Sequence, residues 1–193
     1  MPNPLAFLAY ILVTAYTPGP NNILSMSNGS IYGFRKSFPF NVGILCGFFI
    51  VMALCTLFSA ALYAVIPKIK MVMLILGAIY MLYLAWKIFR SAMHDPEKQK
   101  NRSTFLSGMM LQFVNPKIMV YGITSMSVYI LPYYRGPEQV ILFGLLLSLV
   151  GFSATLCWSA FGTVFSRLLK NHARILNPIM ALLLVYCAVS LFF

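Results

Sequence analysis

The sequence predicts an all-α fold: a polytopic membrane protein of six transmembrane helices, arranged as two inverted three-helix repeats with broken first helices. Three observations lead there. Of 193 residues, 61% are apolar and 9% charged, and the mean hydropathy is +0.86. A soluble domain carries about 25% charged residues, so this chain has too little polar side chain to cover a water-facing surface. Six apolar stretches follow one another, each long enough for the roughly 20 residues that cross a bilayer core. The first and fourth are interrupted by proline-containing polar runs at corresponding places.

The stretches lie near 5–25, 41–66, 71–89, 104–131, 138–163 and 174–193. The first opens without Lys or Arg before it, so it lacks the positive leader of a cleavable signal and is expected to be retained. It is broken by Thr17-Pro18-Gly19-Pro20-Asn21-Asn22. Two prolines remove backbone donors, and two asparagines place amides at membrane depth. Irregular backbone survives there only when it is buried in protein or lines a wet cavity. Thr17 reads as an N-cap and Pro18 as the first helical residue. A half-helix beginning there would aim free N–H groups and a positive dipole end into the cavity.

The second stretch contains Gly43 and Gly47, a GxxxG pair suited to close helix approach. The third ends in Trp86-Lys87 and Arg90, an interfacial anchor. Residues 91–103 form a polar linker between pseudo-repeats 1–90 and 104–193 of a single membrane domain, 1–193. The fourth stretch is broken at Asn115-Pro116-Lys117, which lies 98 positions after Thr17-Pro18. Asn115 is an N-cap candidate with Pro116 behind it, and Lys117 falls mid-span. A lysine there costs about 2.5–3.5 kcal/mol on insertion scales and marks a functional site; its natural partner is an anion. Gln112 and Tyr121, one turn to either side, are positioned to line the same cavity. In the fifth stretch Gly144, Ser148, Gly151, Thr155, Ser159 and Gly162 form one narrow helical stripe of small residues. That stripe suits packing inside the bundle, and it would serve a homo-oligomer as well.

Charge sets the orientation. The net charge is +11, which in a chain this apolar reflects the bias of basic residues toward cytoplasmic helix ends rather than a nucleic-acid surface. The connections near 25–40, 87–103 and 164–174 hold ten of the fourteen Lys/Arg. Only Lys68, Lys70 and Arg135 lie on the other side. Both termini are therefore expected outside the cytoplasm. Three spans per half is an odd number, so the halves must run in opposite senses. Inverted repeats with paired broken helices are a transporter architecture, with the substrate at the breaks.

Other chemistries find little support. The acids Asp95 and Glu97 and the histidines His94 and His172 fall in polar connections and Glu138 at the mouth of the fifth stretch, none deep in a span, leaving no visible catalytic pair or proton relay. Cys46, Cys55, Cys157 and Cys187 lack zinc-site spacing and read as small packing residues. No cofactor and no metal are expected. The alternative to a carrier is a structural or regulatory membrane subunit without a transport cycle.

Thr17-Pro18-Gly19-Pro20-Asn21-Asn22, followed by Gly29, Gly33-Phe34-Arg35 and Gly43/Gly47, resembles the opening motif of the LysE/RhtB amino-acid exporter family. Gly77, Tyr80, Leu84 and Trp86-Lys87 resemble its third-helix pattern, and Phe113-Val114-Asn115-Pro116-Lys117 its second signature. The resemblance covers essentially the whole chain. It implies a bacterial inner-membrane exporter of small neutral amino acids, working by alternating access and proton antiport, with the bilayer and the amino acid as its partners. One departure stands out. Some members carry an acid just after the second-helix GxxxG, where this chain has Phe48, so a coupling scheme built on that acid does not transfer.

Overall fold

The computed structural model describes residues 3–57, 71, 75–76, 78–86, 88–90, 104–168 and 173–190. The expected linker 91–103, the end of the second stretch, His94, His172, Asp95, Glu97, Lys68, Lys70 and Lys87 lie outside the described residues. The elements are all helical: α1 (Pro4–Tyr16), α2 (Pro20–Tyr32), α3 (Phe34–Leu57), α4 (residues 78–86 and 88–90), α5 (Phe105–Val114), α6 (Pro116–Thr124), a π-helical segment (Ser125–Ile130), α7 (Pro137–Leu168) and α8 (Ala173–Ser190).

Proline stereochemistry sets the first break. Asn3 caps α1 by accepting the Ala6 N–H at 2.9 Å. The helix stops at Thr17, which takes an extended conformation (ψ 153°) while its N–H still reaches Val13 O. A residue before proline is pushed out of the helical region, and Pro18-Gly19-Pro20 imposes that restriction twice, on Thr17 and on Gly19. The next helix therefore begins only at Pro20, with Gly19 as its cap. Thr17 and Pro18 are thus not the N-cap and first residue of a half-helix; Thr17 is the C-cap of α1.

A larger difference concerns 25–40, expected as a connection. It is helical on both sides of a single hinge at Gly33, whose φ of +81° ends α2. Ser25, Ser27, Asn28 and Gly29 are buried in α2, and Ser37 in α3. Ser25, Gly29 and Ser37 find their partners on other helices, which a reading of local polarity does not reveal. An added Cβ at Gly33 meets nothing within 4 Å, so the cost of Gly33→Ala is conformational alone. It is expected to destabilise the fold by about 1–2 kcal/mol, read as a lower thermal midpoint in detergent.

The second break has one stop. Thr104 caps α5 by accepting the Ser107 N–H. Asn115 then leaves the helix, and its side chain caps α6 by accepting the Lys117 N–H at 3.2 Å, with Pro116 in the first position. After Thr124 the ladder widens, and Leu131 N–H reaches Met126 O at 2.8 Å.

Among the exposed residues of α7 are Ile141, Leu142, Leu145 and Leu149, while Ser148, Thr155 and Ser159 are buried beside Leu147 and Ala154. Large apolar side chains outside and hydroxyls among apolar residues inside suit lipid surroundings. Helices α3 and α7 hold segments, Phe34–Thr56 and Pro137–Ser166, long and apolar enough to cross a membrane. The tightest helix pairs approach backbone to backbone. A Cβ on Gly29 would run into the Ser159 carbonyl, and one on Gly162 into that of Met26, locking α2 to α7. Gly43 meets Phe105 O, Gly108 meets Phe40 O and Gly47 meets Met109, locking α3 to α5.

Candidate functional site

The two breaks meet. Lys117, at the start of α6, extends its ammonium to Thr17 O at 2.8 Å, Thr17 Oγ1 at 3.1 Å and Pro18 O at 3.3 Å. Its stem lies against Gly19, where a Cβ would sit 2.8 Å from Lys117 Cδ. The last carbonyls of a helix have no intrahelical partner, and in lipid each unsatisfied one is costly. Here the end of α1 is supplied by side chains. Thr17 Oγ1 donates to Thr14 O, Asn22 Nδ2 donates to Ala15 O and Thr17 O, and Trp158 Nε1 of α7 donates to Tyr16 O. Lys117 thus sits at the negative end of the α1 dipole.

Beside it lies a closed amide network. Asn21 Nδ2 donates to Gln112 Oε1 at 2.8 Å, while Asn21 Oδ1 accepts from Gln112 Nε2 at 3.1 Å and from Asn115 Nδ2 at 2.9 Å. All three side chains are buried. Asn115 works at both ends, its nitrogen donating to Asn21 and its oxygen capping α6. Asn21 and Gln112 likewise hold the breaks together. The N-terminus of α2 differs: Gly19 offers no side chain to cap it.

Between the breaks is a narrow cleft lined by Thr14, Ala15, Gly19, Asn21, Asn22, Phe48, Asn115, Lys117, Ile118, Tyr121, Gly151 and Thr155. One wall is aromatic. Tyr121 stacks on Tyr10 at 6.1 Å between centroids and takes the edge of Phe48 at 5.6 Å. The Tyr121 hydroxyl is buried without a hydrogen-bond partner among the described residues. Chemically the cleft offers an ammonium, an uncapped helix N-terminus, a set of carbonyl acceptors and an apolar wall. That is an inventory for a small zwitterion.

The sequence-predicted residues Thr17, Gly19, Asn21, Asn22, Gln112, Asn115, Lys117 and Tyr121 are drawn together across 91 to 100 positions of chain. Pro18 and Pro20 shape the first break, and Pro116 starts α6. Of the α7 stripe, Gly151 and Thr155 reach the cleft, Ser159 and Gly162 face α2, and Gly144 and Ser148 pack inside. Sequence reasoning missed Thr14, Ala15, Phe48 and Ile118 as wall residues. An apolar residue in an apolar span carries no mark of which way it faces.

Comparison with known proteins follows the same lines. Residues 12–193 match the family described as LysE type translocator. The chain is 43% identical over 188 residues to the cysteine/O-acetylserine efflux protein of Salmonella choleraesuis (strain SC-B67), covering 97% of this chain and 96% of that protein. The Escherichia coli (strain K12) protein of the same description is 41% identical over the same coverage. No solved structure matches the chain. A match across nearly the whole length means that the chain belongs to the LysE type translocator family.

Proposed function

We propose that this protein is a bacterial inner-membrane exporter of small neutral amino acids, with cysteine and O-acetylserine as its substrates. The carrying observation is the convergence of two helix breaks on one cleft with Lys117 between them. The relatives named as cysteine/O-acetylserine efflux proteins, alike over 97% of the chain, support the substrate class. Nothing in the cleft resembles a catalytic pair, and the efflux relatives are not enzymes.

In this reading the chain forms six spans in two inverted halves. Helices α1 and α2 cross in series, and so do α5, α6 and the π-helical segment; both termini face the periplasm. The substrate carboxylate binds Lys117 and the uncapped first turn of α2. Its ammonium takes acceptors among the carbonyls that end α1, chiefly Thr17 O and Pro18 O. Those acceptors now hold the Lys117 ammonium, so binding exchanges one cation for another while Lys117 turns to the carboxylate. Alternating access between the halves completes export, driven by proton antiport.

The test is uptake and counterflow of labelled cysteine, O-acetylserine, threonine and lysine in proteoliposomes, with and without an imposed pH gradient. Transport of cysteine and O-acetylserine above protein-free vesicles, accelerated by the gradient, is the expected result. No transport of any of the four by folded protein would overturn the proposal in favour of a subunit without a transport cycle. Transport indifferent to the gradient would remove the antiport step alone.

A further inference from the structure

Away from the cleft, buried polar side chains continue in one direction. On α2, Asn21, Ser25 and Gly29 are four residues apart and share a face. Asn21 belongs to the cleft network. One turn on, Ser25 Oγ donates to Asn41 Oδ1 of α3 at 2.7 Å. Beyond it Ser37 Oγ of α3 meets Ser159 Oγ of α7 at 2.8 Å, and Thr163 Oγ1 of α7 donates to Gly29 O of α2 at 2.9 Å. Ser25, Ser37, Asn41 and Ser159 are wholly buried. Each of these bonds joins two different helices.

Resting on the export reading above, we infer that this seam is the cytoplasmic entry path of the amino acid, closed in the present conformation by its own polar side chains. Interhelical hydrogen bonds in membranes contribute little each on average, so bundle stability alone is a weak reason for such a column. Hydroxyls and amides that satisfy one another when the helices touch become a wettable wall when the helices part. At the same level α2 touches α7, and α3 touches α5, through glycines against backbone carbonyls, so a small separation opens a continuous gap. The seam ends near Gly33, beside the exposed Arg35 and Lys36, which mark the cytoplasmic side. From Asn21 to Gly33 the helix rises about 18 Å, a little more than half of a roughly 30 Å hydrocarbon core.

The other side of the cleft is built differently. Tyr121, Ser125 and Ser127 have buried hydroxyls without partners among the described residues. Gly122 and Gly144 there meet the side chains of Met52 and Met126 rather than backbone. The half toward Arg35 and Lys36 is shut by hydrogen bonds and backbone contact, whereas the other half is closed by packed apolar side chains such as Phe48, Met52 and Met126.

The test places cysteines on the seam of full-length protein whose Cys46, Cys55, Cys157 and Cys187 have been replaced by alanine. In the Ser37→Cys/Ser159→Cys pair, oxidation with copper phenanthroline is expected to reduce labelled O-acetylserine export at least tenfold relative to the same sample before oxidation, and dithiothreitol is expected to restore it. Ser25→Cys in inside-out vesicles is expected to react with a membrane-impermeant methanethiosulfonate several times faster with O-acetylserine than without it; cysteine is unsuitable there because its own thiol consumes the reagent. A crosslinked pair that exports at its pre-oxidation rate would overturn the inference. So would Ser25→Cys that exports but is never labelled from the cytoplasmic face. A reduced carrier that moves no amino acid while Ser25→Cys is still labelled would instead overturn the export reading and leave the opening of the seam standing.

Discussion

Lys117→Ala is expected to reduce export of cysteine and O-acetylserine by roughly two to three orders of magnitude while the protein remains in the membrane at normal abundance. The magnitude follows from what the cleft would lose. Removing one partner of a buried charge pair leaves the other uncompensated, at a cost of about 3–5 kcal/mol, and each 1.4 kcal/mol is a factor of ten. The substrate carboxylate would be that other partner. Lys117 also holds Thr17 O and Pro18 O, so its loss leaves carbonyls at the break to be satisfied by Asn22 or water. Thr17 is exposed and Lys117 only partly buried, so the fold itself should tolerate the change. Initial rates of labelled uptake in proteoliposomes, beside an immunoblot of membrane fractions, provide the check. Full export by this variant would remove Lys117 from the binding site.

Asn21→Ala is expected to cost both stability and transport. Asn21 makes three hydrogen bonds, to both ends of the Gln112 amide and to Asn115. Alanine would leave Gln112 Oε1 and Asn115 Nδ2 without the partner that Asn21 supplies. A buried polar group without its partner costs about 1–3 kcal/mol, so a loss of roughly 2–6 kcal/mol is expected, with a clearly lower thermal midpoint in detergent. The break geometry would loosen with it, and export should fall at least tenfold even in the fraction that remains folded. An Asn21→Ala protein of unchanged midpoint and full export would show that the network neither joins the halves nor shapes the cleft. An unchanged midpoint together with no export by either the parent or the variant is what a subunit without a transport cycle would show.

How much of this was legible in the chain depended on whether a residue stood out locally. Thr17 to Asn22 and Asn115 to Lys117 are conspicuous because proline, asparagine and lysine are out of place in apolar runs. The stripe from Gly144 to Gly162 was legible from its spacing, although nothing in that spacing names α2 as the helix it meets. Ser25, Ser37 and Asn41 were hidden for the opposite reason. Polar residues between two apolar stretches resemble a connection, and only their partners, 16 to 122 positions away, reveal them as an interior face. Phe48 was singled out for lacking an acid; that it forms the aromatic wall with Tyr121 required the packing of α3 on α6.

The helical class and the two proline breaks were readable from the chain alone, whereas the stop at Gly33 was not. Class and breaks follow from local physics: hydropathy summed over a span, and the stereochemistry of a residue before proline. The sequence also contained the rule that moves the start of α2 from Pro18 to Pro20, since Gly19 precedes a proline just as Thr17 does. Only the tertiary structure decided where Lys117 sends its charge and which amides close on one another. Those contacts join residues about a hundred positions apart. Their geometry is set by where glycines let backbones touch and by which buried groups must find a donor, and both are properties of the assembled bundle rather than of any stretch of chain.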